Sequence, residues 1–122
     1  VEKLTIVVGA PGNKGVSRRP GIGQAVSEGA DVVYLTSDDP QYEDPNAIAD
    51  EIQAAITNKD VVINREMDRT IAITEAIKAA GPNDVVVLAA KGLDEYQKVG
   101  GVDTPYENDW AVAQRVVNEL EA

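Results

Sequence analysis

The sequence predicts an α/β domain built around a mainly parallel sheet with helices on both of its faces. Short runs rich in β-branched residues alternate along the chain with longer segments whose apolar residues have helical spacing, a pattern typical of βαβ units. The chain has 122 residues, about the size of one domain, and its 43% hydrophobic and 26% charged content is that of a globular protein. We therefore expect one domain, with no internal repeat or linker.

Four apolar runs are predicted to form the parallel strands. They are Leu4–Val8, residues 31–36, residues 61–63 and residues 84–89. The first is β-branched throughout its centre and is expected to be buried on both faces, and the last is the most apolar. Residues 91–106 have an irregular pattern, with a turn expected at Gly100-Gly101 and room for one antiparallel strand near residues 97–106.

Four segments between and after these strands are predicted to be helices. They are residues 20–28, residues 45–56, residues 67–80 and residues 108–120. Pro20 and Pro45 suit a first helical turn, Gly81-Pro82 ends the third helix, and Asn108 is placed to cap the fourth. Met67 and Trp110 are expected on helix faces or in the core, without a functional role.

The charge composition argues against several classes of function. The chain has 11 Lys and Arg against 21 Asp and Glu, a formal charge of −10, which disfavours binding to nucleic acid or to an anionic membrane. It contains no His and no Cys, so His-based triads, thiol nucleophiles and His or Cys metal sites are excluded. We predict no metal ligand and no acid–base catalyst here, and the absence of cysteine fits a cytoplasmic location.

The unusual residue chemistry follows three of the predicted strands. Ligands of parallel α/β sheets bind beyond the carboxyl ends of the strands, so the loops after Val8, Thr36 and Ala89 are predicted to share one binding edge. The first loop neither contains G-x-x-x-x-G-K-[ST] nor continues as G-x-G-x-x-G, which argues against an independent nucleotide site.

Each loop has a functional and an ordinary interpretation. Lys14, Arg18 and Arg19 form either a clamp for carboxylate or phosphate or a solvated basic turn. The pair Asp38-Asp39 fits a metal or a substrate ammonium, although without further context such a pair more often serves the local chemistry of a turn. The third set, Lys91, Asp94 and Glu95, is either a binding loop or a charged surface loop.

The three loops in order resemble motifs of the Mur ligase family, in particular of the members that add the third amino acid to UDP-N-acetylmuramoyl-dipeptide. The motifs are GAPGNKGVSRRP from Gly9 to Pro20, TSDDPQYEDP from Thr36 to Pro45, and AAKGLDEYQ from Ala89 to Gln97. They span nearly the whole chain. Each is weak alone, but their order and the strands between them make the resemblance specific.

The resemblance implies that residues 1–122 are the Rossmann-like C-terminal domain, a fragment of a larger enzyme that is inactive alone. In this family two preceding domains bind the UDP-sugar and ATP, and the complete enzyme forms an amide bond through an acyl phosphate. ATP and Mg²⁺ would then be bound mainly outside this fragment. The partners implied are a diamino acid, and, through the missing domains, UDP-N-acetylmuramoyl-dipeptide and ATP.

The resemblance also implies which amino acid enters. Family members that use meso-diaminopimelate have a motif similar to D-N-P-R, in which the Arg pairs with the distal carboxylate of the ligand. In this sequence Asp39 stands at the Asn position and Gln41 at the Arg position. Asp94 stands where relatives have Glu, and Leu93 where they have His. A pocket that loses a cation and gains carboxylates favours a ligand that ends in an ammonium, such as L-lysine.

The resemblance therefore assigns roles to eight residues. Lys14 or Arg18 holds carboxylate or phosphate, Lys91 supports the closed site, Gln41 lines the pocket, and four carboxylates recognise the ammonium: Asp38, Asp39, Asp94 and Glu95. Two alternatives remain at this point. One is another amide ligase of the superfamily, such as a folylpolyglutamate or cyanophycin synthetase, against which the TSDDP and KGLDEYQ loops argue; the other is a free-standing α/β small-molecule binding module.

Overall fold

The computed structural model describes residues 3–9, 18–37, 44–89, 96–99, 102–105 and 109–121. Within these residues the chain forms a parallel sheet with helices packed on both faces, which confirms the predicted α/β class. The four parallel strands are β1 (Leu4–Val8), β2 (Val32–Leu35), β3 (Val62–Arg65) and β4 (Val85–Leu88). They follow the order β3-β2-β1-β4, so the first strand lies inside the sheet.

The strand register aligns the carboxyl ends of the sheet. Val8 of β1 pairs with Leu35 of β2, Leu35 pairs with Arg65 of β3, and Val7 pairs with Leu88 of β4. Because all four strands are parallel, the segments that follow them all leave from the same edge of the sheet. This is the edge that the sequence predicts to carry the binding loops.

Four helices connect or follow the strands. They are α1 (Arg18–Gly29), α2 (Pro45–Ala54), α3 (Arg69–Ala79) and α4 (Asp109–Glu121). The Asp44 side chain accepts a hydrogen bond from the backbone N–H of Asn46 and caps α2, with Pro45 in its first position. Asp68 caps α3 by accepting from Ile71 N–H, so this helix begins two residues after the predicted start at Met67. Asn108, the predicted cap of α4, lies outside the described residues.

The alternation of side chains along the strands divides the core between the two faces. On one face β1 and β2 pack against α1 and α2, through residues that include Val8, Leu35 and Ile52, and Met67 packs at the margin of this cluster. On the other face they pack against α3 and α4, through residues that include Val7, Ile73 and Val112. Successive residues of a strand point to opposite faces, so Val7 and Val8 belong to different cores.

Tyr34 belongs to the second of these cores, although it carries a hydroxyl group. It is 7% exposed, and burial raises the pKa of its phenol, to which the negative charge of Glu75 adds. Its position follows from the alternation of β2, since Val33 and Leu35 on either side of it face α1 and α2.

Helices α1 and α2 approach each other closely at Gly23. A Cβ atom on this residue would lie 2.4 Å from the backbone oxygen of Ile52 and 2.6 Å from the Cβ of Ala55. A glycine is needed here because any side chain would push the two helices apart.

Residues 96–105 contain more regular structure than the sequence predicts. Strands β5 (Tyr96–Val99) and β6 (Val102–Pro105) pair antiparallel, with Tyr96 opposite Pro105 and Val99 opposite Val102. The expected single antiparallel strand is therefore a two-stranded sheet of its own. Gly100 and Gly101 lie outside the described residues.

The most apolar strand of the sequence lies at an edge of the described sheet. Val85 and Val87 of β4 are 40% and 41% exposed, whereas Val86 and Leu88, which point to the opposite face, pack against the core formed with α3 and α4. Its apolar character therefore does not correspond to full burial. Within the described part of the chain, none of the helices combines the length and apolar character that crossing a bilayer requires.

Candidate functional site

Three of the loops with unusual chemistry begin at neighbouring strand ends. Gly9, Ser37 and Ala89 are the last described residues after β1, β2 and β4, and these strands are adjacent in the sheet. Backbone hydrogen bonds continue past the strands, from Thr36 N–H to Val8 O and from Ala89 N–H to Val7 O, both 3.0 Å. Since neighbouring strands lie about 4.8 Å apart, the three loops start within about 10 Å of one another.

Most of the predicted binding residues belong to the parts of these loops that the structure does not describe. Seven lie outside the described residues: Lys14, Asp38, Asp39, Gln41, Lys91, Asp94 and Glu95. Arg18 is the first residue of α1, and its side chain is outside what the structure describes. Their roles remain predictions, but the starting points of their loops are as expected.

Arg19 has a structural environment that neither sequence interpretation anticipated. It is 1% exposed, and its guanidinium forms an ion pair with Glu51 of α2. Arg19 is therefore not part of a solvated basic turn, and its charge is engaged in joining α1 to α2. Of the three cations expected near this loop, Lys14 and Arg18 remain candidates for a clamp.

A buried ion pair next to the described strand ends is the principal feature that the sequence did not reveal. Arg69, the first residue of α3, and Asp109, the first residue of α4, have side chains 0% and 2% exposed. Arg69 donates to both carboxylate oxygens, from Nε to Oδ1 at 2.9 Å and from Nη2 to Oδ2 at 2.7 Å. This two-point geometry is the strong form of an arginine–carboxylate pair.

The same guanidinium also holds the beginnings of two loops. Arg69 Nη1 donates to the backbone oxygen of Ser37 at 3.1 Å, and Nη2 donates to that of Ala89 at 2.9 Å. Ser37 follows β2 and Ala89 follows β4, so one side chain connects two strand ends with the start of α4. Arginine suits this position because its planar group presents several donors in fixed directions.

The electrostatics of the helices explain why the pair needs both members. A helix N-terminus carries partial positive charge, which disfavours the cation of Arg69 at the start of α3 and favours the anion of Asp109 at the start of α4. Asp109 therefore neutralises a charge that burial and the helix would both oppose. Arg69 directly follows the acidic cap Asp68, so nothing local in the sequence points to Asp109 as its partner.

One polar group at this edge has no partner among the residues described. The Thr36 hydroxyl is buried, in a residue 4% exposed, and no described atom accepts or donates a hydrogen bond to it. Buried hydroxyls are normally paired, so this group is of the kind that a neighbouring loop or a ligand satisfies.

One groove among the described residues has a different character. It has a volume of about 760 Å³ and runs between β4, the end of α3 and α4, with an apolar lining that includes Ile77, Val86 and Leu120. Asp84 is the only charged residue among its described lining residues. Such a surface does not suit an amino acid, which needs paired charges at both ends.

The fold and this edge define a class: a parallel α/β domain in which three charged sequence motifs begin at adjacent strand ends, two of which are held by a buried arginine. Residues 2–92 match the family described as "Mur ligase, glutamate ligase domain". This match covers more than half of the chain, and the chain belongs to the Mur ligase family.

Individual relatives agree with this assignment. The chain is similar to the UDP-N-acetylmuramyl-tripeptide synthetase of Lactobacillus acidophilus, with 55% identity over 98% of the chain and 23% of the relative. It is 47% identical to the UDP-N-acetylmuramoyl-L-alanyl-D-glutamate–L-lysine ligase of Enterococcus faecalis, over 96% of the chain and 23% of the relative. The chain thus spans about a quarter of the length of these curated relatives.

A solved structure matches the fold as a whole. The structure of a UDP-N-acetylmuramoyl-L-alanyl-D-glutamate–2,6-diaminopimelate ligase superposes with a TM-score of 0.90 and 30% sequence identity. The match covers 100% of this chain and 25% of that one. The Rossmann-like architecture expected from the three motifs is therefore confirmed.

Proposed function

We propose that this chain is the C-terminal, amino-acid-binding domain of an ATP-dependent ligase of peptidoglycan biosynthesis. The complete enzyme adds L-lysine, or a similar diamino acid, to UDP-N-acetylmuramoyl-L-alanyl-D-glutamate. The observation that carries the proposal is that three charged sequence motifs begin at the adjacent ends of β1, β2 and β4. The names of the tripeptide synthetases and of the lysine ligase among its relatives support it.

The incoming amino acid would be gripped at its two ends by different loops. Lys14 and Arg18, after β1, hold a carboxylate or a phosphate, and Lys91, after β4, supports the closed site. The carboxylates that recognise the ammonium follow β2 and β4: Asp38, Asp39, Asp94 and Glu95. We assign no acid–base or covalent catalysis to these residues; their proposed role is to position the amino acid, and positioning can supply much of a ligase's rate.

The preference for L-lysine rests on charge. Gln41 stands at the position of the Arg in the D-N-P-R motif of diaminopimelate-using members. The pocket therefore lacks the cation that a second carboxylate would need. Asp39 adds a negative charge in the same loop. A hydrogen bond to a charged group contributes about 1.5–3 kcal/mol, so two such changes shift selectivity by more than tenfold.

ATP, Mg²⁺ and the UDP-sugar would bind mainly to domains outside this chain. The lack of a P-loop motif in the sequence supports this division of roles. The 122-residue chain is accordingly expected to be inactive alone. We propose that the reaction takes place in the cytoplasm, with which the absence of cysteine is consistent.

The direct test uses the complete protein that contains this chain. Purified enzyme is incubated with ATP, Mg²⁺, UDP-N-acetylmuramoyl-L-alanyl-D-glutamate and one amino acid, and the UDP-tripeptide is measured by mass spectrometry. We expect kcat/KM to be highest for L-lysine and lower for L-ornithine and meso-diaminopimelate. Preference for diaminopimelate would refute the specificity argument. Amino acid binding without any ATP-dependent product would support a binding module instead.

A single substitution tests the role of Gln41. Gln41→Arg should lower kcat/KM for L-lysine about tenfold or more, because it places a cation where the ammonium of lysine is expected. The matched control is Gln24→Arg, the same change at an exposed position in α1. Equal kinetics for both variants would show that Gln41 does not line the pocket. The ligase activity itself would not be contradicted by this result.

A further inference from the structure

We propose that Arg69, held by Asp109, is a positioning residue that sets amino acid selectivity by fixing the starts of the two ammonium-recognising loops. This inference rests on the proposed function and deepens it. It assigns a role to two buried residues that the motifs of the sequence do not include.

The hydrogen bonds of Arg69 act on the peptide groups from which the loops begin. The oxygen of Ser37 belongs to the peptide unit that joins Ser37 to Asp38. The oxygen of Ala89 belongs to the peptide unit that joins it to the next residue, directly before Lys91. A peptide unit is planar, so a bond to its oxygen restrains the direction in which the chain continues. Arg69 therefore restrains both loops where they leave the sheet.

Asp109 determines where the guanidinium lies. Its two oxygens accept from Nε and Nη2, which fixes the plane of the group and leaves Nη1 and Nη2 directed at the two backbone oxygens. The carboxylate comes from α4, 40 residues away along the chain. The position of the last helix is thereby linked to the positions of Ser37 and Ala89, from which the two loops begin.

A lysine at position 69 would separate charge from geometry. It keeps the positive charge but replaces the planar fork by one ammonium, which cannot repeat the contacts with Asp109, Ser37 and Ala89 together. The loops after β2 and β4 would lose a fixed start, and these loops carry the carboxylates assigned to the ammonium of the substrate. The loop after β1 carries the residues assigned to its carboxylate, which every α-amino acid shares.

Selectivity for the side-chain ammonium should consequently fall more than general activity. L-Norleucine has the same carbon chain as L-lysine and lacks the ammonium, so a competition between the two reports this recognition. In the complete enzyme, the ratio of the two UDP-tripeptide products, measured by mass spectrometry, gives the ratio of the two kcat/KM values.

For Arg69→Lys we expect the ratio of kcat/KM for lysine to that for norleucine to decrease about tenfold, which is the effect of losing one charge-assisted hydrogen bond. The KM for lysine should increase. Asp109→Asn is the second variant, which keeps the side-chain shape and should change the ratio in the same direction. The control is Arg65→Lys, in an exposed Arg–Asp pair on β3, which should leave the ratio unchanged. All reactions are run at least 10 °C below each variant's melting temperature.

The outcomes separate this inference from the proposed function. If the wild-type enzyme prefers lysine and both variants lose activity on the two amino acids equally, the pair is only structural and the inference is wrong. If the wild-type enzyme forms no product with any amino acid, the proposed function fails, and the inference fails with it. A decrease in the ratio for both variants, with an unchanged control, supports it.

Discussion

Two arginine–aspartate pairs of this domain have nearly the same contact distance and very different surroundings. Arg69 Nη2 lies 2.7 Å from Asp109 Oδ2, and Arg65 Nη1 lies 2.6 Å from Asp50 Oδ1. The first pair is 0% and 2% exposed, whereas the second is 30% and 69% exposed. Both arginines stand at the carboxyl edge of the sheet, four residues apart in sequence.

The difference teaches that distance alone does not measure the contribution of an ion pair. Water stabilises the separate charges of Arg65 and Asp50 almost as well as the ion pair does. Such an exposed pair therefore contributes about 0–1 kcal/mol to the free energy of unfolding. Removing one member of a buried pair leaves an unpaired charge away from water, which costs about 3–5 kcal/mol. The buried pair is therefore a point of fragility and a means of fixing geometry.

The largest effect is expected from Arg69→Met. This change should lower the free energy of unfolding by about 3–5 kcal/mol, because it leaves Asp109 unpaired and removes donors from Ser37 and Ala89. Arg65→Met should lower it by about 1 kcal/mol or less. Urea unfolding of the 122-residue chain, followed by circular dichroism, measures both. Equal losses would contradict the comparison.

A smaller effect is expected from Asp109→Asn. The amide keeps one acceptor oxygen but removes the charge that neutralises Arg69, which should cost about 1.5–3 kcal/mol. Asp50→Asn is the matched change in the exposed pair, with an expected loss under about 1 kcal/mol. The same urea titration applies, and a loss for Asp50→Asn as large as that for Asp109→Asn would refute the role of burial.

The pair between Arg19 and Glu51 tests an intermediate case. The arginine side chain is 2% exposed and the glutamate side chain is 48% exposed, so only one of the two charges is shielded from water. Glu51→Gln should cost about 1–2 kcal/mol, between the values expected for Asp50→Asn and Asp109→Asn. A thermal or urea unfolding series of the three variants checks this order, and any other order would show that burial of one partner is not the controlling variable.

The smallest effect concerns salt. The Debye length falls from about 10 Å at 0.1 M to about 3 Å at 1 M, which screens exposed charges and leaves buried ones little affected. The cost of Asp50→Asn should therefore approach zero in 1 M NaCl, while that of Asp109→Asn should change little. Comparing each variant with the wild type at the same salt concentration removes the general effect of salt on stability.

The sequence predicted the parallel strands and the helices with small errors at their ends. Leu4–Val8 was located without error, and α3 begins at Arg69 instead of Met67 because the Asp68 side chain caps it. These features are local, since strand and helix periodicities and caps depend on neighbours within a few residues. The antiparallel pair at residues 96–105 was missed as a pair because strand pairing depends on register and not on composition alone.

The candidate site was predicted unevenly for the same reason. The shared edge followed from parallel strands, and the neighbouring ends of β1, β2 and β4 confirm it. Arg19 was read as a loop cation, although it is buried against Glu51, 32 residues away. Nothing local in the sequence distinguishes a buried arginine from an exposed one.

The sequence by itself determined the class of the fold, the family, and the order of the charged motifs along the chain, because these depend on short-range patterns. Only the tertiary structure decided that Arg69 meets Asp109 across 40 residues and holds the ends of two strands. The physical reason is that a charge acquires its partner and its energetic weight from burial, and burial exists only once the helices have packed on the sheet.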